Sequence, residues 1–111
     1  MTAEEIPAEI TADELAASLQ TEHPPVLLDV RETWEFELVH LPGSLHIPMG
    51  ALMSRSAELD PAARIVTICH HGIRSLNSAL YLRSIGMTNT QSLQGGLDLY
   101  AKRIDPKLPR Y

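Results

Sequence analysis

Four consecutive β-branched residues, Ile65-Val66-Thr67-Ile68, preceded by Arg64 and bounded upstream by Pro61, constrain this chain more than any other segment. A branched Cβ loses rotamer freedom in a helix and packs well on a pleated surface, so residues 64–68 are expected to form a strand. A second apolar run, Val26-Leu27-Leu28-Asp29-Val30, reads as a strand buried on both faces. Around these runs the pattern is helical. Strands alternating with helices imply a parallel sheet, because each crossover lays a helix on one face of it. The expected fold class is α/β, a parallel sheet sandwiched between helices.

The remaining elements follow from local signals. Thr11-Ala12-Asp13-Glu14 is a capping-box pattern that starts a helix running to about residue 20, and His23-Pro24-Pro25 ends it. A short helix is expected over residues 32–39. Leu41-Pro42-Gly43 marks a turn before a short strand at 44–47, which Pro48 closes, and a brief helix is expected at 51–55. From Ser75 to Ile85, Leu76, Ala79 and Leu80 fit one helical face, with Gly86 placed for a left-handed cap. A further strand is expected at 90–93, a tight turn at Gly95-Gly96 and a last helix at 97–103. Pro106 and Pro109 stop regular structure, so residues 105–111 are expected to run as an extended tail. No repeat, linker or low-complexity stretch divides the 111 residues, and a single domain with its core over about 9–104 is expected.

A formal net charge of -5 argues against a polyanionic partner such as nucleic acid, which needs clustered Lys and Arg. The distribution is uneven. Residues 1–60 carry 12 acids and only two bases, Arg31 and Arg55, whereas residues 61–111 carry two acids and seven bases. Ordinary solvated surface charge accounts for this asymmetry, with a locally positive site for a small anion as the alternative. The single cysteine excludes an intramolecular disulfide, and the first residues lack the basic start and apolar run of a secretory signal, so the cytoplasm is the expected location. No apolar run approaches the roughly 20 residues that span a bilayer, and no membrane partner is expected.

The cysteine stands where function is expected. Cys69 directly follows the β-branched strand, and ligands of open parallel sheets sit beyond the carboxyl ends of the strands. The loop Cys69-His70-His71-Gly72-Ile73-Arg74 leads into the helix expected near Ser75, whose unpaired N–H groups and positive dipole end favour a thiolate. Gly72 can take positive φ and lets successive N–H groups curl inward around an anion, while Arg74 adds a permanent positive charge. Cys69 is thus a candidate nucleophile rather than one more buried apolar residue. His70 and His71 could donate hydrogen bonds to a substrate or be ordinary exposed loop histidines, since side chains of adjacent loop residues diverge. His23, His40 and His46 are scattered, and no second cysteine or spaced histidine pair completes a metal ligand set; neither metal nor cofactor is expected.

With these residues in view, the chain resembles a single-domain rhodanese from about residue 9 to its end. Leu28-Asp29-Val30-Arg31 with Glu35-Phe36 resembles the segment that begins Asp-Val-Arg in that family, and His40-Leu41-Pro42-Gly43-Ser44 continues it in order. Residues 69–74 fall at the family's active-site loop, and Gly95-Gly96 precedes the last helix as the second signature does. Two positions depart: Val39 stands where glycine is usual, and Tyr100 where tryptophan is frequent. The resemblance implies a five-stranded parallel sheet between helices and a persulfide intermediate on Cys69. It also implies that Asp29 and Arg31 mainly brace the strand end, with an Arg31–Glu35 pair across one helical turn a further expectation.

The expected function is that of a sulfurtransferase, moving a sulfane sulfur from a small anionic donor such as thiosulfate to a thiophilic acceptor, cyanide or a thiol, through Cys69. Lacking a second cysteine, the chain must pass its sulfur to an external acceptor, a sulfur-accepting protein among the candidates. A sulfur-carrier or partner-binding module with little free turnover is the alternative. A cysteine phosphatase or arsenate reductase is a further one, disfavoured because only four residues separate Cys69 from Arg74, where phosphatases of similar topology resemble a five-residue pattern.

Overall fold

The computed structural model describes residues 6–111. In chain order these form β1 (Glu9–Ile10), α1 (Ala12–Leu19), β2 (Val26–Asp29), α2 (Thr33–Leu38), β3 (Leu45–His46), α3 (Leu52–Arg55), β4 (Ile65–Ile68), α4 (Ile73–Ser84), β5 (Thr90–Leu93) and α5 (Gly96–Arg103), with single 3₁₀ turns on either side of α3. Thr11 accepts from the Glu14 N–H and Glu14 bonds back to the Thr11 N–H, so the capping box starts α1 as expected.

All five strands are parallel, in the order β1-β5-β4-β2-β3. Leu28 lies beside Thr67 and Thr67 beside Ser92, which puts the β-branched run at the centre. Side chains along β4 alternate between two cores. Val66 and Ile68 join Leu15, Leu27, Leu93, Leu97 and Tyr100 under α1 and α5. Ile65 and Cys69 join Leu28, Leu52, Leu82 and Met87 under α3 and α4. The connection leaving β2 runs toward the β3 edge and that leaving β4 toward the β5 edge, so the β2–β4 boundary is the switch point at which a crevice opens. Among the described residues no helix is long and apolar enough to cross a membrane.

Several expectations differ from what folds. β1 carried no sequence signal; its two residues gain strand geometry only by pairing with Ser92 and Leu93. α4 starts at Ile73, two residues early, and its buried face is Ser75, Ser78, Ala79 and Leu82 rather than Leu76, Ala79 and Leu80. Leu80 is 47% exposed. Hydropathy misplaces this face because both serines are satisfied locally, Ser78 Oγ donating to the Arg74 carbonyl and Ser75 Oγ to that of Gly72. Residues 105–111 do not simply extend: the chain turns at 106–108 and brings Tyr111 back over the loop after β4. At Val39 the backbone is extended, with φ −162°, so the usual glycine is not needed there, and Tyr100 is buried in the α1–α5 core.

Leu82→Ala should therefore cost about 2–5 kcal/mol, as a buried cavity-forming change does, while Leu80→Ala stays within about 0.5 kcal/mol of wild type. Urea unfolding of the two variants measures the difference; equal costs would contradict this helix orientation.

Candidate active site

The site begins with the backbone of Cys69 and His70. The carbonyl of Cys69 accepts the Leu97 N–H at 2.9 Å and that of His70 accepts the Asp98 N–H at 3.0 Å, so the free N–H groups at the start of α5 hold both carbonyls. This approach requires glycine. A Cβ on Gly96 would sit closer than 3.0 Å to both carbonyl oxygens, and Gly95 and Gly96 both have positive φ.

With the carbonyls turned toward α5, N–H groups converge on the sulfur. Gly72, at φ +101°, donates its N–H to Cys69 Sγ at 3.0 Å, and Ser75, third residue of α4, donates at 3.3 Å. The sulfur thus takes the place of a capping side chain at the start of α4. Ser75 Oγ lies 3.3 Å from Sγ and 2.7 Å from Ser92 Oγ, a buried hydroxyl pair behind the sulfur. Thr67 Oγ1 donates to the Ser75 carbonyl at 2.8 Å and fastens the first turn of α4 to β4. Cys69 itself is buried, at 1% exposure.

Two ion pairs brace the crevice. Arg31, fully buried, donates from Nε and Nη2 to both oxygens of Asp29, at 2.7–3.1 Å, and from Nη2 to the Val39 carbonyl. Arg74 donates from Nη1 and Nη2 to the two oxygens of Glu35, at 2.6 and 2.9 Å. Arg31 and Glu35 do not pair across a helical turn, because each is held by a different bidentate partner. The Tyr111 hydroxyl joins the two pairs, accepting from Arg31 at 2.6 Å and donating to Glu35 at 2.8 Å. The Arg74 guanidinium holds the Glu35 carboxyl down at about 2, and burial pushes the Tyr111 hydroxyl up to about 12. The uneven charge of the two chain halves does not yield a positive site here: Glu35 of the acidic half neutralises Arg74 of the basic half.

The loop side chains face outward to different extents. Ile73 is exposed and His70 partly buried, its ring 4.2 Å from that of Tyr111. The rings of His70 and His71 do not diverge but pack edge-on with centroids 4.1 Å apart, and Asp98 lies close to both. Burial, then the neighbouring His71, lowers the His70 pKa and favours its neutral form. Sequence reasoning singled out Cys69 and the loop through Arg74 but missed Ser75, Ser92, Asp98 and Tyr111. None carries a local signal; Glu35 was noticed, with the wrong partner.

Fold and loop together define a three-layer parallel α/β protein that presents one buried cysteine to two converging N–H donors at a switch point. The chain belongs to the rhodanese-like domain family, whose model matches residues 11–103. It is 34% identical over 79 residues to the thiosulfate sulfurtransferase GlpE of Pseudomonas syringae pv. syringae, covering 71% of this chain and 74% of that one. It is 35% identical over 94 residues to the adenylyltransferase and sulfurtransferase uba4 of Ogataea parapolymorpha, covering 84% of this chain but 24% of the relative, so it spans only about a quarter of that protein. A rhodanese-like domain protein from Staphylococcus aureus superposes with a TM-score of 0.82 at 25% identity, covering 95% of this chain and 99% of that one. The five-stranded parallel sheet between helices is the rhodanese-like fold.

Two variants check this geometry. Gly96→Ala should destabilise the protein by well over ~1 kcal/mol in thermal unfolding, since it combines positive φ with a backbone clash. Because Glu35 titrates near 2 when folded against 4.5 ordinarily, its pairing stabilises the fold fully above about pH 4.5 and is lost as pH falls through about 2. The stability gap between wild type and Glu35→Gln should follow that window in denaturant titrations.

Proposed function

We propose that this protein is a sulfurtransferase that carries a sulfane sulfur on Cys69. The observation that carries this reading is the convergence of the Gly72 and Ser75 N–H groups on Cys69 Sγ at the carboxyl end of the central strand. In the proposed reaction the Cys69 thiolate attacks the outer sulfur of a donor such as thiosulfate. The donor's S–S bond breaks, its electron pair leaves with sulfite, and Cys69 retains a persulfide. An external thiophile, cyanide or a thiol, then attacks the terminal sulfur and releases the thiolate. The same N–H donors stabilise negative charge on sulfur in both forms.

Loop residues His70, His71, Gly72, Ile73 and Arg74 are proposed to form the rim at which donor and acceptor enter. Asp29 and Arg31 brace the end of β2 from inside, and Glu35 holds Arg74 across the crevice. The bidentate Glu35–Arg74 pair, together with the four-residue spacing from Cys69, supports sulfur chemistry over phosphate-ester chemistry, which would draw on a free guanidinium. A second reading, a sulfur carrier serving a protein acceptor, is favoured by the 62% exposure of Trp34 in α2 and the 73% exposure of Ile73 at the start of α4. Both readings share the persulfide.

Mass spectrometry after incubation with thiosulfate should show one added sulfur atom on Cys69, and addition of cyanide should yield thiocyanate. Cys69→Ser should lose both signals. Undiminished thiocyanate production by that variant would sink the assignment.

A further inference from the structure

We propose that His70, His71 and Asp98 form a binding site for one divalent transition-metal ion of the zinc class, on the outward side of the loop after β4. One ligand atom from each residue lies within 4.8 Å of the other two. His71 Nε2 and Asp98 Oδ2 are 3.8 Å apart, too far for a hydrogen bond. Ligand bonds of about 2.0–2.2 Å place two donors of one tetrahedral ion about 3.4 Å apart, so a shift of a few tenths of an ångström lets these two atoms share an ion. His70 Nδ1 is buried and has no hydrogen-bond partner among the described residues, an unmet capacity that such a site would use either directly or through a water on the ion.

The scaffold for the site is rigid. The Asp98 N–H already donates to the His70 carbonyl at 3.0 Å, so loop and helix meet at a fixed distance and only side chains need adjust. Two imidazoles and a carboxylate, with no thiolate, suit zinc, copper or nickel rather than calcium or magnesium. Cys69 Sγ is committed to the Gly72 and Ser75 N–H groups. Lys102 and Arg110 oppose binding, at 3.3 Å from Oδ2 and 3.2 Å from Oδ1 of Asp98. Both are half exposed and can withdraw to water, and Lys102 occupies the oxygen that His71 faces. Removing that lysine therefore strengthens the site.

Titration of Zn²⁺ into chelator-treated, dialysed full-length protein, followed by calorimetry, should show one ion per chain. Co²⁺ should give a ligand-field spectrum without a thiolate charge-transfer band. Asp98→Asn and His71→Ala should each weaken binding at least 10-fold, Lys102→Ala should tighten it, and Cys69→Ser should leave it intact. Should Asp98→Asn fail to fold by circular dichroism, His71→Ala carries the test, since that side chain is 65% exposed. Absence of saturable binding, unchanged affinity in both ligand variants, or loss of binding in Cys69→Ser would each overturn the site. None of these readouts depends on sulfur transfer, so a failure of the proposed reaction leaves them unaffected.

Discussion

The close approach of the Gly95-Gly96 backbone to the carbonyls of Cys69 and His70 is the constraint from which the rest of the site follows. In a trans peptide the N–H points away from the carbonyl oxygen, so drawing these two oxygens toward α5 turns the N–H groups of His70 and His71 away from that helix. The opening of α5 takes up two carbonyls of the loop, and the loop is then free to direct Gly72 and Ser75 toward sulfur. Two helix N-termini therefore cooperate: α5 acts on the loop's oxygens and α4 on its sulfur. A side chain at position 96 would separate them.

Charge around the crevice is arranged in pairs rather than as a field. Asp29 holds Arg31, Glu35 holds Arg74, and the Tyr111 hydroxyl accepts from one pair and donates to the other. Each bond is between a charged or strongly polar donor and a matched acceptor, so the cost of burying Arg31 and Glu35 is offset locally. The segment after β2 and the loop after β4 are tied together across the switch point by Glu35 and Arg74.

The centre of the fold was legible because its signals are local. A β-branched run, a loop with glycine at its fourth position and a helix lie consecutively in the chain, and the strand-loop-helix unit from Ile65 to Ser84 follows from residues within a few positions of one another. What could not be read depends on distant partners. Ser75 and Ser78 look like surface residues until backbone carbonyls satisfy them inside the protein. Glu35 has an acceptable partner four residues away in Arg31, and only the sheet order brings Arg74 to it instead. Asp98 lies 28 residues beyond His70, and Tyr111 arrives after a turn at 106–108 in a tail whose prolines had pointed only to an extended run. β1 exists only as a partner for β5.

Both margins of the sheet are short. β1 and β3 have two residues each, while the three strands between them have four. The long strands, whose backbone groups could recruit a neighbouring chain, are all interior, and each margin offers too few free N–H and C=O groups to template another strand. A protein built this way can present exposed side chains such as Trp34 and Ile73 near the loop after β4 with little risk of edge-to-edge association, so that stickiness is confined to side chains and kept from the backbone.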